Sequence, residues 1–181
     1  MTQGQTVRAF LGLGSNLGDR TGRLYAARMR LAGLVDTVLV QSSPLYETAP
    51  WGDPDQPDYL NQVVALDLGP TWTPTALLAA VGAIETAEGR TRDPRRRFGP
   101  RTLDVDILLY GTVHLESPSL VIPHPRLRER GFVLIPLADI APDAPIADAI
   151  GGTVGQALEK HAFQHPETRL TVRAYTGPDR T

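Results

Sequence analysis

Apolar residues in this chain recur with two different periods, and each switch between them marks an element. Residues 7–13, "VRAFLGL", make a short apolar run leading into the Gly-rich turn "GSNLG", the pattern of a strand closed by a turn. Leu24, Ala27 and Leu31 then fall at helical spacing. Asp19 stands where a side-chain oxygen can meet the first free amides, so a helix is expected over about 20–32. "DTVLVQSSPLYET" (36–48) reads as one long strand kinked at Pro44, which has no amide for a ladder. "YLNQVVALDL" (59–68) puts Leu60, Gln62 and Val64 on one face and Asn61, Val63 and Ala65 on the other. Thr73 and Pro74 open a second helix that runs to about Glu88 and stops at Gly89. After an Arg-rich loop comes a strand over 103–110, then short proline-rich pieces, then a third helix from Thr153 to about His161. The order β-α-β-β-α-β is the split βαβ arrangement. It predicts an α/β ferredoxin-like sandwich, a mainly antiparallel sheet with flanking helices. No repeat or linker divides the chain, so one domain is expected over 1–181, with loose ends at 1–5 and 175–181.

Composition narrows the class. The chain has 181 residues, 41% of them hydrophobic, enough for one core. The absence of cysteine excludes disulfides, thiol catalysis and Cys-based zinc sites. No apolar run approaches the roughly 18 residues of a membrane span, and the N-terminus has no secretory pattern. A cytoplasmic protein is expected. Net charge is −2, so the whole chain is no polyelectrolyte binder, yet its basic charge is uneven. Among 18 basic residues only Lys160 is a lysine, so any phosphate contacts fall to arginine forks and metal ions.

The candidate chemistry begins in "RTLDVDILLY" (101–110). Asp104 and Asp106 lie two apart on a strand, so both side chains leave one face, about 7 Å apart at Cα. One reading is a pair of acids at a solvated strand end, balanced by arginines. The other is a divalent cation site, since buried paired carboxylates repel and Mg²⁺ suits one or two carboxylates plus phosphate oxygens. "RTRDPRRRFGPR" (90–101) brings six arginines against one acid immediately before the pair, and together the two segments suggest phosphoryl chemistry. Glu85 near the end of the second helix opposes the helix dipole, so it calls for a partner such as Arg90, Arg92 or a ligand; an ordinary exposed helix acid is the alternative. Trp51, Tyr59 and Asn61, in and beside a Pro- and Asp-rich loop, can cover the core's end or hold a flat heterocycle and read its edge. His124, between two prolines, is structural or a phosphate donor. His161 and His165 have helical metal spacing but no third ligand, and Pro166 ends their helix. "GLGSNLGD" fits neither G-x-G-x-x-G nor a P-loop.

Together "GLGSNLGDR", "SPLYETAPWG", "DQPDYLNQVVAL", "IETAEGR", "RFGPRTLDVDILLYG" and "IPHPRLRERGFVLIPL" resemble the 6-hydroxymethyl-7,8-dihydropterin pyrophosphokinase family of folate synthesis, in the family's order over most of the chain. "GPRTLDVDI" is its signature. The resemblance implies a ferredoxin-like fold, two Mg²⁺ ions, ATP as co-substrate, and transfer of the β,γ-pyrophosphoryl group to the pterin's hydroxymethyl oxygen with release of AMP. By position it implies Asp104 and Asp106 as magnesium ligands. It sets Tyr59, Phe132 and Phe98 around the pterin, and Asn61 on its edge with backbone groups near Thr48 and Trp51. Glu85, Arg92, Arg101, Ile107, His124 and Arg130 fall at ATP. Arg90 and Arg92, with the aspartates, make the catalytic set, Arg90 lying in a loop that closes over both substrates. Phe98 replaces a tryptophan of some members, keeping the stack and losing the indole donor. Pro125 replaces an aromatic of some members, and the loop between Arg92 and Phe98 is one residue longer than in some relatives. A monomer acting on small molecules is expected, with neither nucleic acid nor membrane as partner.

Two rivals remain. A ferredoxin-like RNA-binding module would share the fold, but needs sheet aromatics that a chain with 6% aromatics does not show. A nucleotidyltransferase also pairs a Gly-Ser turn with Asp-x-Asp, but close together, whereas about 90 residues separate Ser15 from Asp104 here. Release of AMP or of pyrophosphate separates the two transfer reactions.

Overall fold

A computed structural model describes residues 6–50, 53–91 and 99–177, apart from the side chains of 169 and 170. Among these, β1 (Val7–Ser15), α1 (Arg20–Ala32), β2 (Thr37–Ser42), β3 (Tyr46–Thr48), β4 (Tyr59–Leu68), α2 (Pro74–Ala87) and β5 (Asp104–Tyr110) follow in order. Two short strands, β6 (Leu115–Glu116) and β7 (Val121–Ile122), make a separate ribbon. A 3-10 turn at Leu127–Glu129 leads into α3 (Gly131–Ile140), then α4 (Val154–Gln164), the short α5 (Thr168–Thr171) and β8 (Val172–Ala174).

The sheet order is β5-β1-β4-β3-β8, with β2 also on β4, and every pairing is antiparallel. Strands β1 and β4 lie at the centre, each buried on both faces. One face packs Leu24, Ala27 and Leu31 of α1 and Leu77, Val81 and Ile84 of α2 against Leu60, Val64 and Leu66. The other packs Val133, Leu134 and Leu137 of α3 and Val154 and Ala157 of α4 against Phe10, Val63 and Ala65. The alternation read in 59–68 is thus the division between two cores, as period-2 side chains require.

Local chemistry sets the ends. Asp19 accepts from the Gly22 amide and Thr73 from the Ala76 amide, each satisfying a donor that the first turn leaves open. Gly89, at φ 76°, ends the α2 segment in a backbone region that costs other residues energy. The expected strand 36–48 divides into β2 and β3. Around Pro44 the Ser43 amide turns to Val63 O and the Ser43 hydroxyl accepts from the Val63 amide, so side-chain bonding replaces the ladder there. The third expected helix extends to Gln164, with Thr153 as its cap. α3 was not legible: it starts at a glycine, carries Pro136 inside, and its first turn has no side-chain cap. Tertiary burial of Val133, Leu134 and Leu137 forms it against those local signals. Within 175–181, the Tyr175 amide donates to Leu45 O, and 178–181 lie outside the described residues, as do 1–5. No described helix is long and apolar enough to cross a membrane.

Candidate active site

Strand register builds the floor of a groove. Gly14 on β1 lies between Asp104 on β5 and Asn61 on β4, and Gly12 lies between Asp106 and Val63. These rows lie on the α3 and α4 face of the sheet, where Phe132 and Val133 at the start of α3 border them. A Cβ at Gly14 would stand 3.5 Å from Asn61 Oδ1 and 3.8 Å from Tyr59 Cδ1, so two glycines keep the floor low between acid and amide. The groove is lined by Thr48, Tyr59, Asn61, Arg101, Asp106 and Phe132, among others. A second hollow, between α2 and β5, shares Arg101, Asp104 and Asp106 and adds Gly82, Glu85 and Arg90. The two aspartates therefore stand at the junction of an aromatic-lined groove and a charged one.

On the aromatic side, Asn61 Nδ2 donates to Thr48 Oγ1 at 2.8 Å, and both residues are buried. That bond fixes which edge the amide presents. The Tyr59 hydroxyl donates to Gln56 Oε1 at 3.2 Å, and burial raises its pKa. Phe132 opens α3, with the Arg130 guanidinium 5.7 Å from its ring centroid.

On the charged side, three carboxylates meet three guanidinium groups. Glu85 is 5% exposed and accepts from the Val105 amide at 2.8 Å and from Arg90. This is the partner its place near the helix end demanded. Arg90 also donates to Asp104 Oδ1 at 2.6 Å, and Arg101 donates to Asp104 Oδ2 at 2.7 Å. Arg130 reaches Asp106 Oδ2 at 3.4 Å, and His124 Nε2 stands 3.8 Å from the same oxygen. Burial, and then the charge of Asp104, push Asp106 up to about 6. Burial, and then Arg130, bring His124 down to about 4, so it is a neutral donor or acceptor at pH 7. Its amide donates to Leu108 O at 2.9 Å, which seats it on the outer edge of β5.

The structure thus brings Thr48, Tyr59, Asn61, Glu85, Arg90, Arg101, Asp104, Asp106, His124, Arg130 and Phe132 to one end of the sheet. Ile107 has its side chain in the core beside them, leaving only backbone to face a ligand. Trp51, Arg92 and Phe98 lie outside the described residues. Sequence reading passed over Gly12 and Gly14, whose signal was their i, i+2 spacing on a strand, the same spacing as the Asp pair. It also passed over Asn16, which directly follows the end of β1.

A ferredoxin-like sheet thus carries at its edge paired aspartates ringed by arginines, beside a slot lined by aromatics and a buried amide. The family model described as 7,8-dihydro-6-hydroxymethylpterin-pyrophosphokinase matches residues 10–142, and the chain belongs to this family. The 2-amino-4-hydroxy-6-hydroxymethyldihydropteridine pyrophosphokinase of Methylorubrum extorquens is 47% identical over 154 residues, 85% of this chain and 93% of that protein. The protein of the same name from Pseudomonas aeruginosa is 47% identical over 141 residues, 78% of this chain and 85% of its own. A crystal structure of Plasmodium falciparum HPPK-DHPS with pterin and p-hydroxybenzoate superposes with a TM-score of 0.71 at 16% identity. It covers 99% of this chain and 48% of that one, and it speaks to the fold alone.

Proposed function

We propose that the groove holds 6-hydroxymethyl-7,8-dihydropterin on its aromatic side and ATP on its charged side, with the reacting atoms at Asp104 and Asp106. The chain is an ATP-dependent pyrophosphokinase: it transfers pyrophosphate from ATP to the pterin hydroxymethyl group, giving AMP and the pterin diphosphate for folate synthesis. The observation that carries the residue assignment is the junction itself, the two carboxylates being shared by both hollows.

Tyr59 and Phe132 offer faces for the pterin ring, and Asn61, oriented by Thr48, offers one donor and one acceptor to its edge. Arg90, Arg101 and Arg130 hold the aspartates. Phosphate oxygens compete for the same forks, so polyphosphate binding turns guanidinium groups outward and releases carboxylate oxygens. His124, kept neutral, can donate to a phosphate oxygen without adding charge.

The donor set suits magnesium: all oxygen, with two carboxylates on one face, and an Asp106 raised by burial and then by the charge of Asp104. Asp104 and Asp106 would hold the ions, and bound there the ions supply charge neutralisation and polarisation for in-line transfer. Glu85 keeps Arg90 beside the reacting end and ties the start of β5 through the Val105 amide. By the resemblance alone, Phe98 would serve the pterin and Arg92 would serve ATP; both lie outside the described residues. The working unit is proposed to be a cytoplasmic monomer, since one chain supplies every residue named, with no role for nucleic acid or membrane.

Asp106→Ala tests the assignment. The variant is expected to keep its circular dichroism and lose turnover by at least about 10³-fold at saturating Mg²⁺. Near-wild-type turnover by the folded variant would remove Asp106 from the metal site.

A further inference from the structure

The Gly-rich stretch "GLGSNLGD" fits no phosphate-binding loop, yet its asparagine is one of the most fully engaged polar residues in the molecule. Asn16 is 2% exposed and directly follows the last residue of β1. β1 is flanked by β4 and β5, and each neighbour is joined to a different wall of the active groove. The segment 53–58 leads into β4 and Tyr59, and the segment 99–103 leads into β5 and its aspartates. A side chain at the end of β1 can reach both, and Asn16 does.

On the phosphate side, Asn16 Oδ1 accepts from the Arg101 amide at 2.8 Å, and the Asn16 amide donates to Arg101 O at 3.2 Å. On the pterin side, Asn16 Nδ2 donates to Gln56 Oε1 at 3.0 Å and to Pro57 O at 3.1 Å. Each arm continues to a ligand-facing group. Arg101 holds Asp104 Oδ2 at 2.7 Å. Gln56 Oε1 accepts from the Tyr59 hydroxyl at 3.2 Å, while Gln56 Nε2 donates to Asp53 O at 2.7 Å. Ser15 adds a bond from Oγ to Thr102 O at 2.6 Å, reinforcing one arm only.

We infer that Asn16 is a positioning residue that joins the pterin wall to the phosphate wall, so that a ligand ordering one wall also orders the other. The inference rests on the proposed placement of the two substrates. The side-chain chemistry suits an amide: its oxygen accepts from one wall and its two hydrogens reach two acceptors on the other, whereas a carboxylate has no donor and a hydroxyl has a single hydrogen. Coupling of this kind needs no displacement, because a wall already held costs less entropy to fix.

The test compares wild type with Asn16→Asp, which keeps the acceptor for Arg101 but loses both donors to the 53–58 segment, and with Gln56→Ala, which cuts one arm and leaves Asn16 in place. Two quantities are read: ligand-free amide exchange of residues 53–59 and 99–103, and pterin affinity with and without Mg²⁺ and an ATP analogue carrying a methylene in place of the α,β-bridging oxygen. In Asn16→Asp, exchange is expected to rise in both segments. The factor by which the analogue tightens pterin binding is expected to fall, roughly tenfold, towards one. Gln56→Ala is expected to lower the same factor, and it decides the matter if Asn16→Asp does not fold. A variant with lower melting temperature but an unchanged factor, or with exchange raised in one segment alone, overturns the inference. If wild type binds no pterin, the proposed substrate placement fails, and the exchange data still decide whether Asn16 joins the walls.

Discussion

Gly12 and Gly14 are small residues placed where a strand would ordinarily carry side chains, and the groove exists because of that. Each lies in register with an aspartate on one side and with Val63 or Asn61 on the other. Gly14→Val is predicted to raise the pterin KM about tenfold with little change in melting temperature, because the new Cβ meets Asn61 and Tyr59 at ordinary contact distances and the methyls beyond it occupy ligand space. An unchanged KM in steady-state kinetics would mean that the pterin does not lie on this floor. At this scale the sequence was partly legible. The Asp pair, Glu85 and Asn61 announced themselves through residue type and spacing. The glycines and Asn16 did not, since their roles depend on which strand lies beside β1, and antiparallel register is not written in local pattern.

At the scale of elements, two buried groups pin helices. Glu88 is 6% exposed and accepts from Arg23 and Arg30 of α1 at 3.0 and 2.9 Å, tying the end of α2 to its neighbour. Burial would raise its pKa, but the two arginine hydrogen bonds outweigh that and leave it lowered. Its contribution is therefore present above the ordinary carboxylate value and lost as pH falls through the lowered one. Glu88→Gln is predicted to cost about 1–3 kcal/mol at pH 7, moderated by the partly exposed arginines, in urea unfolding. The difference from wild type should shrink in acid, and a constant difference would contradict the pairing.

His161 of α4 sets one ring nitrogen on Arg128 O and the other on Thr168 Oγ1, both at 3.1 Å, behind the turn that carries Arg130 and Phe132. Burial lowers its pKa, the His165 ring adds to that, and the Arg128 carbonyl and Glu167 oppose it. A lowered histidine leaves stability intact above its unfolded value near 6.5 and removes it as pH falls towards the folded value. Melting temperature is predicted to drop between pH 6.5 and 5 in wild type and to vary less in His161→Gln; parallel curves would contradict this. The elements themselves were mostly legible, because caps at Asp19, Thr73 and Thr153 and the stop at Gly89 are local chemistry. α3 was hidden because burial, not propensity, forms it, and the break at Pro44 became two strands because Ser43 supplies the missing bonds.

Across the whole molecule, the antiparallel sheet delivers an aromatic slot and an arginine-ringed acid pair to one end, from segments spread over residues 48–132. The ferredoxin-like order was readable from the alternation of strands and helices. What the order could not tell was that β1 would be flanked by the strands carrying both walls. All of this converges on pyrophosphoryl transfer to a pterin across the Asp104–Asp106 junction. The most direct measurement incubates the protein with ATP, Mg²⁺ and 6-hydroxymethyl-7,8-dihydropterin and separates the nucleotide products by chromatography. Pterin-dependent AMP, matched one to one by pterin diphosphate, is expected; ADP, free pyrophosphate, or AMP formed without pterin would rule out transfer at this junction.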